Sequence, residues 1–287
     1  MTSARFAPSP TGLLHLGHAY AARVACEMAR RHDGRYLLRF EDIDHTRVRP
    51  EYYDFIRDDL EFLGLTADEE TPQQLKRLGD HEAALQHLRD LGALYPCFCT
   101  RREIQEELKR MPTAPHGPEG PLYPGTCRAL KEKEVSTRIA GGEIPAWRLD
   151  SAAVAAELEP LTFTDLIHGM IPVDPLAHGD LILSRKDIGT SYHIAVVVDD
   201  AADGITHVTR GEDLLGATHI HRVLQTLLKL PEPLYLHHEL VHDEMGRRLA
   251  KRDDARSIQQ YRETGKSSEQ ILAMLPALPA PLLDLDG

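Results

Sequence analysis

The chain has 287 residues, 42% of them hydrophobic and 27% charged, with a formal net charge of −12. That composition is ordinary for a water-soluble protein, with length enough for a substantial core and, on size alone, two domains. The acidic balance excludes broad, non-specific binding of nucleic acid. It leaves room for a local basic surface, for which Arg101, Arg102, Lys109 and Arg110 are one candidate and Arg247, Arg248, Lys251 and Arg252 another; acidic residues close by make a solvated, salt-bridged face the plainer reading of both. No apolar run reaches the roughly eighteen residues of a membrane span. A strand starting within a few residues of Met1 leaves no room for a signal peptide, so a cytoplasmic protein is expected.

The opening strand is expected to end at Ala7, and Pro8, Pro10 and Gly12 then force a tight loop. An amphipathic helix follows over about 16–32, which puts His15, Gly17 and His18 at its N-terminus. Unpaired backbone N–H groups and the positive end of the helix dipole suit such a place to phosphate. Gly17 has no side chain, so a base or a phosphate can lie against the backbone. Cys26 falls on the apolar stripe with Ala22 and Ala29 and reads as core.

Asp33-Gly34 is a turn signal before a strand over 35–40 with Leu37 and Leu38 buried. A helix over about 51–63 carries Phe55, Leu60 and Leu63 at helical spacing, and another spans about 72–91 with proline near its start and Gly92 after its end. Strands alternating with helices imply an α/β fold on a parallel sheet, with ligands beyond the carboxyl ends of the strands. Glu41, Asp42 and Asp44 follow the second strand directly. Three carboxylates there could bind a metal, pair with Arg39 and Arg47, or cap the next helix.

The character changes over 94–187. Cys97, Cys99 and Cys127 supply three tetrahedral zinc ligands and leave one position vacant. Tyr123 stands four residues before Cys127; Tyr123, His116 or a water could be the fourth ligand. Short strands at 146–149, 161–165 and 181–184, punctuated by Gly and Pro, read as a small mixed α/β insertion between two halves of the sheet. From Gly189 the first pattern returns. Periodicity cannot decide between strand and helix for the apolar run 191–200. A strand over 205–210 and a helix over about 214–228 follow, and 258–274 reads as helical before a Pro- and Leu-rich tail.

Residues 5–18, Arg-Phe-Ala-Pro-Ser-Pro-Thr-Gly-Leu-Leu-His-Leu-Gly-His, resemble the class I aminoacyl-tRNA synthetases of the glutamyl and glutaminyl branch. Leu-Arg-Phe-Glu-Asp-Ile-Asp-His-Thr-Arg over 38–47, the run 192–200 and Arg-Gly-Glu-Asp over 210–213 resemble further strings of that family. The resemblance makes 191–200 a helix. Residues 248–252, Arg-Leu-Ala-Lys-Arg, fall where the family's KMSKS loop belongs, with Arg248 in place of a lysine and Ala250 in place of a hydroxyl residue. Cys97-x-Cys99 with Tyr123-x-x-x-Cys127 resembles the zinc site of the truncated paralogues, the glutamyl-queuosine tRNA(Asp) synthetases, where a tyrosine is the fourth ligand.

What the resemblance implies is specific. The fold would be a Rossmann-like parallel sheet split by a small zinc-containing α/β insertion, with a short helical C-terminal piece and no anticodon-binding domain. The catalytic domain would take 1–93 and 188–230, the zinc-bearing insertion 94–187, and the KMSKS-like loop with the helical piece 231–287. His15, Gly17, His18 and Lys251 would bind ATP, and His15, His18 and Lys251 would be catalytic. Arg5, Ser9, backbone at Ala7, Glu41, Tyr192 and Arg210 would bind glutamate, with Glu41 accepting its ammonium and Arg210 pairing with its side-chain carboxylate. Cys97, Cys99, Tyr123 and Cys127 would hold one structural Zn2+, and Mg2+ would accompany ATP. The reaction would activate L-glutamate as glutamyl-adenylate and pass it to queuosine in the anticodon of tRNA(Asp). A truncated glutamyl-tRNA synthetase charging a tRNA 3′ end, and a non-catalytic paralogue that binds tRNA or glutamate, stay open beside it.

Overall fold

The computed structural model describes residues 1–110, 116–117, 120–242 and 256–283, with residues 110, 116 and 117 as backbone only. The chain opens with β1 (Ser3–Phe6), α1 (Leu16–Arg30), β2 (Arg35–Leu38), α2 (Glu51–Phe62), β3 (Glu69–Glu70) and α3 (Leu78–Asp90). The expected helix over 72–91 thus begins as a separate short turn of 3-10 helix, Gln74–Arg77. Next come β4 (Leu94–Cys97), α4 (Arg101–Arg110), β5 (His116–Gly117), β6 (Gly120–Pro121), α5 (Glu132–Ala140), β7 (Ala146–Leu149), α6 (Ser151–Glu157), β8 (Thr162–Asp165), β9 (Gly169–Pro172) and β10 (Ile182–Ser184). The last part holds α7 (Tyr192–Ala202), β11 (His207–Gly211), α8 (Ala217–Leu227), β12 (Leu234–His238), α9 (Ile258–Glu263), α10 (Ser268–Leu272) and α11 (Ala280–Leu283).

Seven strands form the main sheet in the order β3-β2-β1-β11-β12-β8-β9. Every pairing is parallel except the outermost, β8 with β9. The order reverses between β1 and β11, which is where α/β sheets of this kind open a crevice for ligands. The strand at 161–165, assigned from sequence to the insertion, is β8, and it pairs with β12 of the main sheet. In a separate antiparallel sheet, β10-β7-β4, Pro96 sits in the edge strand β4, where its missing N–H is not needed by a second neighbour.

Successive side chains on a strand face opposite ways, and both faces here are covered. Ala4, Phe6, Tyr36, Leu38 and Leu236 face α1, whose Ala19, Ala22, Ala25 and Ala29 let it lie close against the sheet. Leu37, Val208 and Tyr235 face the other way. Arg5, Arg210 and His237 share that second face by alternation, and α7 and α8 cover them. On α2 the buried side chains are Ile56, Asp59 and Leu60, with Leu63 just beyond; Phe55, expected among them, is 37% exposed. The stripe is therefore Ile56-Leu60-Leu63: Leu60 and Leu63 are buried as read off the sequence, and Ile56 takes the place given there to Phe55.

The apolar run 191–200 is the helix α7. Its β-branched valines have only modest helix propensity, but tertiary contacts decide. Ile194, Val196 and Val197 enter a core with α3 and α8. Asp199 accepts from Gln74 (2.9 Å) and meets His81 (3.0 Å), while Asp200 meets Arg39 (2.7 Å) and Arg5 (2.8 Å). The expected helix over 258–274 is two short helices, α9 and α10, each started by a serine whose side chain accepts from the third residue along. The Pro- and Leu-rich tail then turns back onto α1: Leu275, Leu278 and Leu282 join its core, and Tyr20 donates to Ala277 O (2.7 Å). A buried leucine of this kind contributes about 1.5–3 kcal/mol.

Candidate active site and metal centre

Loops leaving the carboxyl ends of β1 and β2 run side by side. Arg39 N donates to Phe6 O (3.0 Å) and Glu41 N to Pro8 O (3.0 Å). The first loop ends at His15, the N-cap of α1. His15 Nδ1 accepts from Gly17 N (3.1 Å) and His18 Nδ1 accepts from His15 N (3.2 Å), with the rings stacked at 3.8 Å. Because both Nδ1 atoms accept, each neutral ring carries its proton on Nε2. A Cβ on residue 17 would meet His15 Cε1 at 3.0 Å, so glycine is also what lets the His15 ring cap the helix. Ser257 forms a β-bridge with His15, and Ile258 N donates to Leu14 O (2.8 Å). Chain just after 243–255 is thus tied to the start of α1; Lys251, Arg248 and Ala250 themselves lie outside the described residues.

The three carboxylates after β2 have separate duties. Asp42 accepts from Tyr53 Oη (2.7 Å) and Leu75 N (3.0 Å), and Asp44 from Thr46 (2.7 Å) and Arg47 (2.9 Å); both hold the loop. Glu41 makes no side-chain hydrogen bond among the described residues, and its nearest cation is Arg39 at 3.8 Å. Burial pushes its carboxyl up, against the fields of Arg39 and Arg5. Arg5 is engaged in a two-pronged pair with Asp200 (2.8 and 3.1 Å), while Ser9 is exposed and Ala7 half-buried in the loop.

Arg210 stands at the end of β11, beside the switch point, and is 6% exposed. Its Nε donates to His237 Nε2 (3.0 Å), Nη2 to Thr218 Oγ1 (2.7 Å), and Nη1 to Tyr192 Oη (3.2 Å) and His221 Nδ1 (3.1 Å). Every one of these partners is neutral. Burial holds His221 well below the usual imidazole range, with Arg210 adding to it, and lowers His237 to about 4 against the pull of Asp165. Among the described residues no carboxylate lies within ion-pair reach of Arg210. Burial raises the Tyr192 phenol, and Arg210, Glu41, Arg5 and Asp200 all bear on it electrostatically. The fold therefore gathers Arg5, Glu41, Tyr192 and Arg210 around one place. A buried guanidinium with no carboxylate partner among the described residues has the chemistry to receive an anionic group.

Sequence reasoning missed the supports of this place: Asp165, Thr218, His221 and His237, and the pairing of Arg39 with Asp200 and Asp203. Asp199 and Asp200, closing an apolar run, were the one visible signal.

The second cluster lies at the edge of the small sheet. The sulfurs of Cys97, Cys99 and Cys127 lie within 4.8 Å of one another and could hold a metal ion. Tyr123 Oη is 3.4 Å from both Cys97 Sγ and Cys99 Sγ and accepts from Cys127 N (3.0 Å). Tetrahedral zinc with Zn–S bonds of about 2.3 Å keeps its ligand atoms about 3.5–3.8 Å apart, so the four atoms fit that ion. Arg148 lies over the Tyr123 ring at 3.7 Å. Of His116 only the backbone is described. Arg101, Arg102 and Lys109 of α4 are exposed, with Arg102 paired to Glu106 (2.9 Å).

Residues 1–280 match the family described as tRNA synthetases class I (E and Q), catalytic domain. The chain belongs to this family. Class I tRNA synthetases are ligases, and the catalytic unit of one accounts for the sheet and its switch-point site. The chain is 46% identical over 277 residues to the glutamyl-Q tRNA(Asp) synthetase of Rhodobacter capsulatus, covering 94% of this chain and 98% of that one. It is 45% identical to the protein of the same name from Nocardia farcinica, covering 94% and 82%. Among solved structures, the glutamate-tRNA synthetase of Elizabethkingia anophelis superposes with a TM-score of 0.81 at 26% identity. That superposition covers 99% of this chain but only 64% of the other. Among the described residues no helix is long and apolar enough to cross a membrane.

Proposed function

We propose that this synthetase activates L-glutamate with ATP and transfers it to queuosine in the anticodon of tRNA(Asp). The observation that carries the glutamate reading is Arg210, a buried cation ringed by neutral acceptors. The substrate's side-chain carboxylate supplies the missing charge, Tyr192 lies beside it, and Glu41 accepts the ammonium. Arg5 holds Asp200 and adds positive potential on the carboxylate side, and Ser9 with backbone at Ala7 completes the contacts. The queuosine reading is supported by the names of the relatives and by Cys97-x-Cys99 with Tyr123-x-x-x-Cys127.

In the first step an oxygen of the glutamate α-carboxylate attacks the α-phosphorus of ATP, and pyrophosphate leaves. His15 and His18 present Nε2–H donors at the N-terminus of α1 to the phosphate oxygens, and Gly17 leaves the backbone open to them. Lys251 neutralises charge on the departing pyrophosphate. Mg2+ bound with ATP supplies further charge neutralisation. In the second step a queuosine hydroxyl attacks the mixed anhydride, forming the ester and releasing AMP. Cys97, Cys99, Tyr123 and Cys127 would hold one Zn2+ with no ligand position left for substrate, so its contribution would be structural. The catalytic domain takes 1–93 and 188–230 together with β8, β9 and β12, which complete its sheet, and the rest of 94–187 and of 231–287 is attached to it.

Pyrophosphate exchange into ATP tests the first step. Glutamate should support it, and glutamine and aspartate should not; exchange independent of the amino acid would refute the reading.

A further inference from the structure

The neutral ring of partners around Arg210 is held by a group outside it. Asp165 ends β8 and is buried. Its Oδ1 accepts from Ile167 N (2.9 Å) and His168 N (3.0 Å), and its Oδ2 from His237 N (3.1 Å) and His237 Nδ1 (2.7 Å). A carboxylate can only accept, so the proton of His237 is on Nδ1 and the lone pair on Nε2 faces Arg210 Nε and Thr218 Oγ1. We propose that Asp165, acting through His237, is a positioning residue that fixes Arg210 for the substrate's side-chain carboxylate while leaving the Arg210 charge unneutralised. This rests on the assignment of Arg210 to that carboxylate.

The arrangement solves a conflict. A carboxylate paired directly with Arg210 would hold it firmly but would compete with the substrate for its charge. One imaginary step further away, across an imidazole, the same carboxylate orders the donor network without offering an anion to the guanidinium. His221 does the matching work from α8. Its Nδ1 accepts from Arg210 and its Nε2 meets His193 Nδ1 (3.1 Å), so it too is a neutral acceptor. Thr218 takes an Nη2 hydrogen. Four of the five N–H donors of a guanidinium are thus directed by protein, which restricts the rotation that would otherwise be lost on binding.

Asp165→Asn is the direct test. Wherever the amide NH2 sits, it faces backbone N–H groups, and at the Oδ2 position it also faces His237 Nδ1. That inverts the tautomer and turns an N–H toward Arg210. In glutamate-dependent pyrophosphate exchange the KM for glutamate should rise by about tenfold or more, with the KM for ATP within about twofold of wild type. Should that variant not fold, a second pair decides. His237→Gln keeps an acceptor near the Nε2 position and should recover most of the glutamate KM that His237→Leu loses. Equal effects on both KM values, or no rescue by Gln over Leu, would overturn the relay. A wild-type protein without glutamate-dependent exchange would overturn the activity itself and the relay with it; an active wild type with unaffected variants would overturn the relay alone.

Discussion

Arg210 and Tyr192 meet over 3.2 Å although 18 residues separate them, because one ends a strand and the other starts the helix that covers it. Both were legible in the sequence only as parts of family strings; neither residue type at its own position would have betrayed a carboxylate receptor. His15, Gly17 and His18 were legible for a better reason, since a Pro- and Gly-rich loop running into an amphipathic helix marks a helix N-terminus by chemistry alone. Asp165 and His237 were not legible at all. They meet because β8 lies beside β12, and no local spacing encodes a strand order. At this scale the sharpest expectation concerns Arg210→Gln, which keeps length and hydrogen-bonding capacity but loses the charge. The kcat/KM for glutamate in pyrophosphate exchange should fall by about a hundredfold, or ~2.7 kcal/mol of transition-state binding. A fall of less than about threefold would remove Arg210 from the site.

At the scale of elements, the alternating strands and helices could be read from the sequence with errors that have physical causes. The run 191–200 is ambiguous by period because α7 is buried on nearly all sides. On α2 the pattern pointed to Phe55, but the buried stripe runs through Ile56 and takes Asp59 with it. Asp59 pairs with Arg262 of α9 at 3.3 Å, and its other oxygen has no partner. Burial pushes its carboxyl up to about 6, despite Arg262. A folded-state value above the unfolded one means that the folded protein keeps this proton while the unfolded chain releases it. The stability it contributes is full below the unfolded value and is lost as pH rises through about 6. Asp59→Asn removes that loss, so its melting temperature relative to wild type should improve between about pH 4.5 and about pH 7.5. A difference that stays constant or moves the other way would contradict the burial of this carboxylate.

The loops around the small sheet make a second expectation at the same scale. Three sulfurs and one phenol oxygen at these separations hold short segments that have little core of their own. Protein purified without chelator should carry about one zinc per chain. Cys127→Ser should lose most of it and lower the melting temperature, and chelation should do the same to wild type. Zinc far below one per chain would sink the centre.

For the molecule as a whole, the α/β class and a mostly parallel sheet followed from the order of elements, and the family followed from short strings spread over nearly the whole chain. The segment 94–187 was less transparent. Its strands read alike in sequence, yet β7 and β10 build the small antiparallel sheet while β8 and β9 extend the large one. Turn-rich, short strands carry too little periodic signal to reveal which sheet they join. The choice of acceptor is likewise a property of the whole surface, which no single residue announces. Transfer of labelled glutamate, with ATP and Mg2+, to tRNA(Asp) with queuosine, tRNA(Asp) without it, and tRNA(Glu) tests it most directly. Label on the first alone is the predicted result. Label on tRNA(Glu), or on both forms of tRNA(Asp) alike, would contradict it.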